Sequence, residues 1–141
     1  VPKNKTTNIR AVLSYLNNII KRRSIIFIIS DFLSPDFEPP LKQLKNKHDV
    51  ILVDISDVRE ENIPDIGYVF LEDAETGEQM LVDTSDLEFR MRYTTLVNKK
   101  SDDLLSRMKQ VNVDTIRMNT SEPFYIPLQQ FFKMRERRVV R

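Results

Sequence analysis

Eight side chains bearing oxygen donors follow directly on apolar runs in this sequence: Ser30 and Asp31, then Asp54, Ser56 and Asp57, then Asn119, Thr120 and Ser121. In an open parallel sheet, ligands bind beyond the carboxyl ends of the strands, where these residues would gather. Hydroxyl and carboxylate oxygens are hard ligands that suit Mg²⁺ rather than zinc or copper. Thr7, ahead of an amphipathic segment, can join the same edge at a helix N-terminus. By type and spacing alone the plainer explanation is favoured: polar residues commonly end a buried strand and cap the next helix.

Composition removes most other chemistry. The 141 residues include no Cys, one His and two Gly. Thiolate zinc sites, disulfides and a cysteine nucleophile are therefore excluded, as is a multi-histidine metal centre. Two isolated glycines, Gly67 and Gly77, cannot form a P-loop or a dinucleotide fingerprint. A serine triad would need His48, which lies at the start of a strand, on the edge away from the carboxyl ends; a structural or surface role is expected for it. The adjacent acids Asp102 and Asp103, or Glu60 and Glu61, point different ways on any regular element and read as solvated faces. The remaining catalytic reading is a Mg²⁺-dependent phosphoryl-transfer or receiver-like domain with Asp31 or Asp54 as phosphoacceptor or metal ligand. Neither stands in a D-x-D pair, and Asp54-Ile55-Ser56-Asp57 has the wrong spacing for one.

The elements that would position these residues are legible. Ile9, Val12, Leu13, Leu16, Ile19 and Ile20 recur at spacings of three and four, predicting an amphipathic helix from Thr6 to Lys21, capped by Thr6 or Thr7 and closed by Lys21, Arg22 and Arg23. Ser24 to Ser30 reads SIIFIIS, as expected of a parallel strand covered on both faces. A helix from Glu38 to Lys47, with Pro39 and Pro40 in its first turn, leads to a second buried strand, Val50 to Ile55. Strand, helix, strand within about thirty residues is a right-handed βαβ unit. Tyr68 to Leu71 and Gln79 to Val82 form a hairpin-like pair. A long helix follows from Asp86 to Gln110, its buried side being Phe89, Tyr93, Leu96, Val97, Leu104, Leu105 and Met108, with a weak or kinked stretch expected over Lys99 to Asp103. A strand from Val113 to Met118 and a helix from Ile126 to Arg138 complete the chain. The reading is an α/β fold: one doubly wound, mainly parallel sheet flanked by helices, in a single domain over 1–141 with a β-hairpin inserted at about 66–84.

Apolar residues make up 40% and charged residues 30%, an ordinary globular composition. No apolar run reaches the roughly 20 residues of a membrane span. No signal peptide is read, because polar Thr6, Thr7 and Asn8 follow Lys3 and Lys5. A cytoplasmic protein is expected. The net charge of +1 hides segregation: residues 1–30 carry six bases and no acids, 31–103 eight bases against eighteen acids, and 104–141 eight bases against three acids. The basic end, with Lys133, Arg135, Arg137, Arg138 and Arg141, reads as a helix complementing its own dipole, and nucleic-acid binding is not expected.

From Thr7 onward the chain resembles a von Willebrand factor A-like domain, and more narrowly the bacterial proteins grouped as domain-of-unknown-function family fifty-eight. The resemblance rests on TNIRAVLSYL at 7–16, RRSIIFIISDF at 22–32, KHDVILVDISDVRE at 47–60, IPDIGYVFLEDAETGEQMLVDTSD at 63–86 and PLQQFFKMRERR at 127–138. It implies a metal-ion-dependent adhesion site built from three loops: D-x-S-x-S, a threonine before a helix, and an aspartate after a buried strand. Thr7 matches the threonine and Asp31 the aspartate. The D-x-S-x-S loop is absent and is expected to precede Val1, and Phe32 stands where many such sites have glycine. By this resemblance the intact protein binds Mg²⁺ while this chain binds it weakly or not at all. The implied role is a non-enzymatic interaction module, an adaptor or assembly factor working with a MoxR-type AAA ATPase. A homodimer through the sheet edge left by the missing first strand is a further expectation.

Overall fold

The structure, a computed structural model, describes residues 8–32, 36–72 and 76–139. The most apolar segment of the chain lies at its centre. Strand β2 (Asp49–Ser56) is flanked on both sides in a three-stranded parallel sheet by β1 (Ile25–Ser30) and β5 (Asp114–Asn119), in the order β1-β2-β5. Because side chains alternate across a strand, β2 feeds two cores. Val50 and Leu52 pack with Ile9, Leu13, Leu41, Leu44, Leu104 and Met108 on one face, and Ile51 and Val53 with Ile116 and Phe131 on the other. Each of these four β2 side chains is nearly or fully buried, a burial that stabilises by about 2 kcal/mol per side chain.

Helices cover the two faces unequally. On the first lie α1 (Ile9–Ile19), α2 (Glu38–Lys47) and α4 (Leu87–Gln110); on the second lies α5 (Tyr125–Val139). Helix α2 contacts both of its neighbours. Asn17 of α1 donates to the carbonyl of Pro40 at 2.9 Å, and Arg107 of α4 pairs with Glu38. Helix α1 is therefore outermost, on the β1 side. Its cap is Asn8, whose Oδ1 accepts from the Ala11 amide at 2.9 Å; the expected caps Thr6 and Thr7 lie outside the described residues. The helix also ends before Lys21, so no cation occupies its last turn.

Helix α4 runs unbroken through Lys99 to Asp103 where a kink was expected, and it ends in a left-handed Asn112 at φ 56°. The amides of Asn112 and Val113 turn back to the carbonyls of Lys109 and Met108 at 3.0 Å, and Val113 and Met108 share the core, the pairing of a Schellman stop. Only Leu104 and Met108 of the expected α4 apolar side are buried; Leu96 is exposed, and Phe89, Tyr93, Val97 and Leu105 are half-buried. The reason is position: the first turns of α4 run past the end of the sheet beside the short α3 (Val58–Glu61).

A second correction concerns β1. Its burial alternates: Ile26 and Ile28 pack against the first core, while Ile25, Phe27 and Ile29 are 64%, 42% and 64% exposed. Helix α5 covers β2 and β5 on that face and leaves β1 bare. The hairpin forms as expected from β3 (Tyr68–Glu72) and β4 (Gln79–Asp83), an antiparallel pair separate from the main sheet. Fully buried Thr84 ties its base: its hydroxyl donates to the Gly67 carbonyl at 2.6 Å and accepts from the Ile66 amide at 3.0 Å. Gly67, at φ 81°, occupies the left-handed region that this closure requires.

Candidate functional site

Parallel register brings the sequence-identified oxygens to one edge. Ser30 lies opposite Asp54, Asp54 opposite Arg117, and Ser56 opposite Asn119. Ser30 and Asp54 share parity with Ile28 and Leu52, so they point to the face carrying α1, α2 and α4. Asp54 is only 9% exposed. Burial pushes its carboxyl above the ordinary value of 3.8; the positive charge of Arg117 opposes the shift, and the negative charges of Asp31 and Glu61 add to it. Arg117, Asp31 and Glu61 are thus the charged groups whose fields act on Asp54. Asp31 is exposed and accepts from Ser30 Oγ at 3.3 Å, while Ser30 Oγ accepts from the Phe32 amide at 3.1 Å.

Two contributors are not evident from strand ends alone. Glu61 accepts from Ser56 Oγ at 2.6 Å, and so belongs to the site rather than to a solvated face. It is delivered by α3, a single turn capped by Asp57; an aspartate followed three residues later by Glu60 is the available sequence signal. Arg117 is a charge in the middle of β5, between Ile116 and Met118, held by Ser101 at 2.5 Å and Asp102 at 3.4 Å on α4.

The other polar residues of the edge serve local structure. Asp57 accepts from the Arg59 amide at 2.8 Å and from Thr120 Oγ1 at 2.9 Å; the backbone bond is the larger cause and the hydroxyl the second in holding its carboxyl below the usual range. Asn119 Oδ1 accepts from the Ser121 amide and hydroxyl, a turn closed by its own side chain. Thr7 lies outside the described residues. His48 sits before β2 at the opposite edge and is 5% exposed, so it is a buried structural residue and not a surface one. Neither of its ring nitrogens has a hydrogen-bond partner among the described residues.

Phe32 stands where the sequence resemblance leads to an expectation of glycine. Phe32 adopts φ 50°, a left-handed conformation that costs a non-glycine residue about 1–2 kcal/mol. Its ring is buried and lies 5.5 Å from that of Phe37, so packing offsets the strain. A glycine-like turn is thus made here by a core phenylalanine.

Chemically the edge offers the exposed carboxylate of Asp31, the part-buried carboxylate of Glu61, the buried carboxyl of Asp54, two serine hydroxyls and the Arg117 guanidinium. Among the described residues no group of three or more Asp, Glu or His side chains is arranged to hold a metal ion. Ser30 and Asp31 fit part of a Mg²⁺ donor set and do not complete one. No hydroxyl is paired with a histidine base. A shallow groove of about 360 Å³, lined by Asn62, Ile63, Arg90, Met91, Thr94 and Thr95, lies elsewhere and adds no acid–base pair.

Residues 1–103 match the family described as "Protein of unknown function DUF58", which takes in β1, β2, the hairpin and the Asp31–Asp54–Glu61 cluster. The chain belongs to this family. It is 30% identical over 118 residues to an uncharacterised protein of Mycobacterium avium, covering 83% of this chain and 69% of that protein. It is 41% identical over 58 residues to uncharacterised proteins of Mycobacterium bovis and Mycobacterium tuberculosis, covering 40% of this chain and 18% of theirs. No solved structure gives a significant match. The DUF58 match stops short of β5 and α5, so Arg117 lies outside the matched segment. Among the described residues no helix is long and apolar enough to cross a membrane.

Proposed function

We propose that this domain is a cytoplasmic, non-enzymatic protein-interaction module, an adaptor or assembly factor for a MoxR-type AAA ATPase, as its resemblance to von Willebrand factor A-like domains implies. The observation that carries the interaction reading is the hairpin. Cross-strand pairing places Tyr68 and Phe70 on one face with Leu81 and Asp83 opposite them, and Tyr68, Phe70 and Leu81 are all more than half exposed. A formed apolar face left uncovered marks an interaction surface. Residues 31–103 carry eighteen acids against eight bases, so the surface suits a partner with a basic rim. In the metal part of the proposal, Thr7 and Asp31 hold Mg²⁺ together with a D-x-S-x-S loop outside this chain, and the partner's carboxylate completes the coordination. Ser30 would steady Asp31 there, and Asp54, buried beneath the edge, would stay out of the coordination sphere.

The test is a binding titration of the purified domain against the ATPase expressed from the same genome, with and without Mg²⁺. Tyr68→Ser with Phe70→Ser should weaken binding at least about tenfold, because two exposed aromatic anchors are lost. Asp31→Ala should abolish the Mg²⁺ dependence in a protein that carries the full loop. Binding indifferent to the hairpin substitutions would sink the reading. A stable adduct on Asp31 or Asp54 after incubation with acetyl phosphate, seen by intact mass, or turnover of phosphomonoesters, would support phosphoryl transfer instead.

A further inference from the structure

The hairpin is apolar on both of its faces. Direct cross-strand pairs share a face, so Phe70 and Leu81 stand with Tyr68 and Asp83 on one side, and Leu71 and Met80 with Val69 and Val82 on the other. The first face is uncovered. On the second, Val82 at the base is buried and Val69 and Leu71 are half-buried, but Met80 toward the tip is 61% exposed. A ribbon that met a partner along one face would carry polar residues on the other, whereas strands apolar on both faces are those that become covered on both. From Tyr68 to Leu71 and from Met80 to Val82 there is no charge, proline or glycine, and among the described residues neither strand has a second neighbour in its sheet. A lone two-stranded hairpin is marginal in water, and an unguarded strand edge invites another chain.

Between base and tip the ribbon is uncharged, and its charge gathers at the tip. The seven residues from Glu72 to Glu78 hold four acids and no base, and Glu72 and Glu78 are exposed. We propose that the hairpin is an insertion arm. It enters a cleft of the partner protein that has two apolar walls, one closing on Tyr68, Phe70 and Leu81 and the other on Leu71 and Met80, with lysine or arginine at the floor to meet the acidic tip. This rests on the hairpin reading above and deepens it, replacing contact along one face by enclosure of both.

Area and charge select this occupant. The exposed fractions of Tyr68, Phe70, Met80 and Leu81 correspond to roughly 500 Å² of surface, about two-thirds of the roughly 800 Å² that one side of a standard interface buries. Enclosure reaches that area with a ribbon of two short strands, whereas contact along the Tyr68 face forgoes Met80. A lipid surface does not fit, because anionic headgroups repel four acids at the leading end. A second copy does not fit either. Its groove beside Arg90 and Met91 is shallow and polar along Asn62, Thr94 and Thr95, and the Arg90 guanidinium is already paired with Asp65 at 3.3 Å.

The chain contains no cysteine, so single-cysteine variants read the two faces separately. Phe70→Cys and Met80→Cys replace exposed side chains; each variant is labelled with a maleimide with and without saturating ATPase from the same genome, and intact mass of the domain reports the adduct. Enclosure should slow labelling about tenfold or more at both positions, because a buried contact excludes solvent; contact along one face should slow it at position 70 alone. In the binding titration, Met80→Glu should weaken binding about tenfold or more, since it carries a charge into an apolar wall. Glu72→Lys with Glu78→Lys should weaken it by a similar factor and remove most of its salt dependence. All these positions are exposed, so circular dichroism should not change. Protection and lost affinity confined to the Tyr68 and Phe70 face overturn the arm and leave the hairpin reading standing, and a tip variant that binds as tightly as the original overturns the basic floor. Binding that no hairpin substitution affects, or no binding at all, overturns both readings. Concentration-dependent sedimentation of the domain alone that Met80→Glu abolishes gives the arm to a second copy and overturns the choice of partner.

Discussion

Replacing Arg135 tests the clamp that fastens α5 to the sheet. Its guanidinium forks onto Asp49, with Nη1 to Oδ2 at 2.9 Å and Nη2 to Oδ1 at 2.7 Å, and its Nε reaches Asp114 at 3.2 Å. The same group lies over the Phe131 ring, 5.4 Å from its centroid. Asp49 opens β2 and Asp114 opens β5, so one side chain ties the helix to two neighbouring strands. The pairs are about 30% exposed, between the buried limit, where breaking a pair costs about 3–5 kcal/mol, and the surface limit of about 0–1 kcal/mol. Taking about 1.5 kcal/mol for the fork and about 0.5 kcal/mol each for the Asp114 bond and the ring contact, Arg135→Ala should destabilise by about 2–3 kcal/mol. At this chain length that lowers Tm by roughly 5–10 °C. Arg135→Lys keeps the charge without the planar fork and should recover about half of the loss. Urea denaturation of the three proteins at low and at about 1 M salt is the assay, and high salt should narrow the gap. A lysine variant as stable as the original, or an alanine variant within about 0.5 kcal/mol of it, would refute the reasoning, since neither fits a geometric clamp.

Three further outcomes are expected. Because burial raises the carboxyl of Asp54, the folded state holds a proton that the unfolded chain has released, so stability should fall as pH rises from 3.8 through the raised value; Asp54→Asn should flatten that slope and raise Tm at pH 7, as thermal melts across pH would show. His48→Leu should stabilise by about 1 kcal/mol in urea, because it removes two buried ring nitrogens without partners. Phe32→Ala should cost about 3 kcal/mol of core packing, and Phe32→Gly about 1 kcal/mol less because it relieves the left-handed backbone; the usual preference for alanine over glycine should thus invert.

The secondary elements were legible because they follow from local periodicity and capping chemistry. The apolar spacing of α1, the prolines opening α2 and the Thr76-Gly77 turn are each satisfied within a few residues of chain. The carboxyl edge was legible in outline for the same reason: a buried parallel strand must end in polar residues, and parallel register sets those ends side by side. Glu61 and Arg117 escaped because their membership depends on distance in space. Glu61 reaches Ser56 through a single turn of helix, and Arg117 becomes relevant only because β5 lies beside β2 with Asp54 opposite it.

The sequence by itself determined the α/β alternation, the positions of the strands and the absence of thiol, multi-histidine and glycine-loop chemistry. Only the tertiary structure decided which apolar residues are covered. IIFII in β1 and VILV in β2 carry the same local signal of a strand buried on both faces. β2 has neighbours on both edges and helices on both faces, and its side chains disappear into two cores. β1 has one neighbour and one covered face, because α5 reaches only β2 and β5 and no described strand lies beyond it. Burial belongs to the packing of separate elements, and no window of local sequence encodes it.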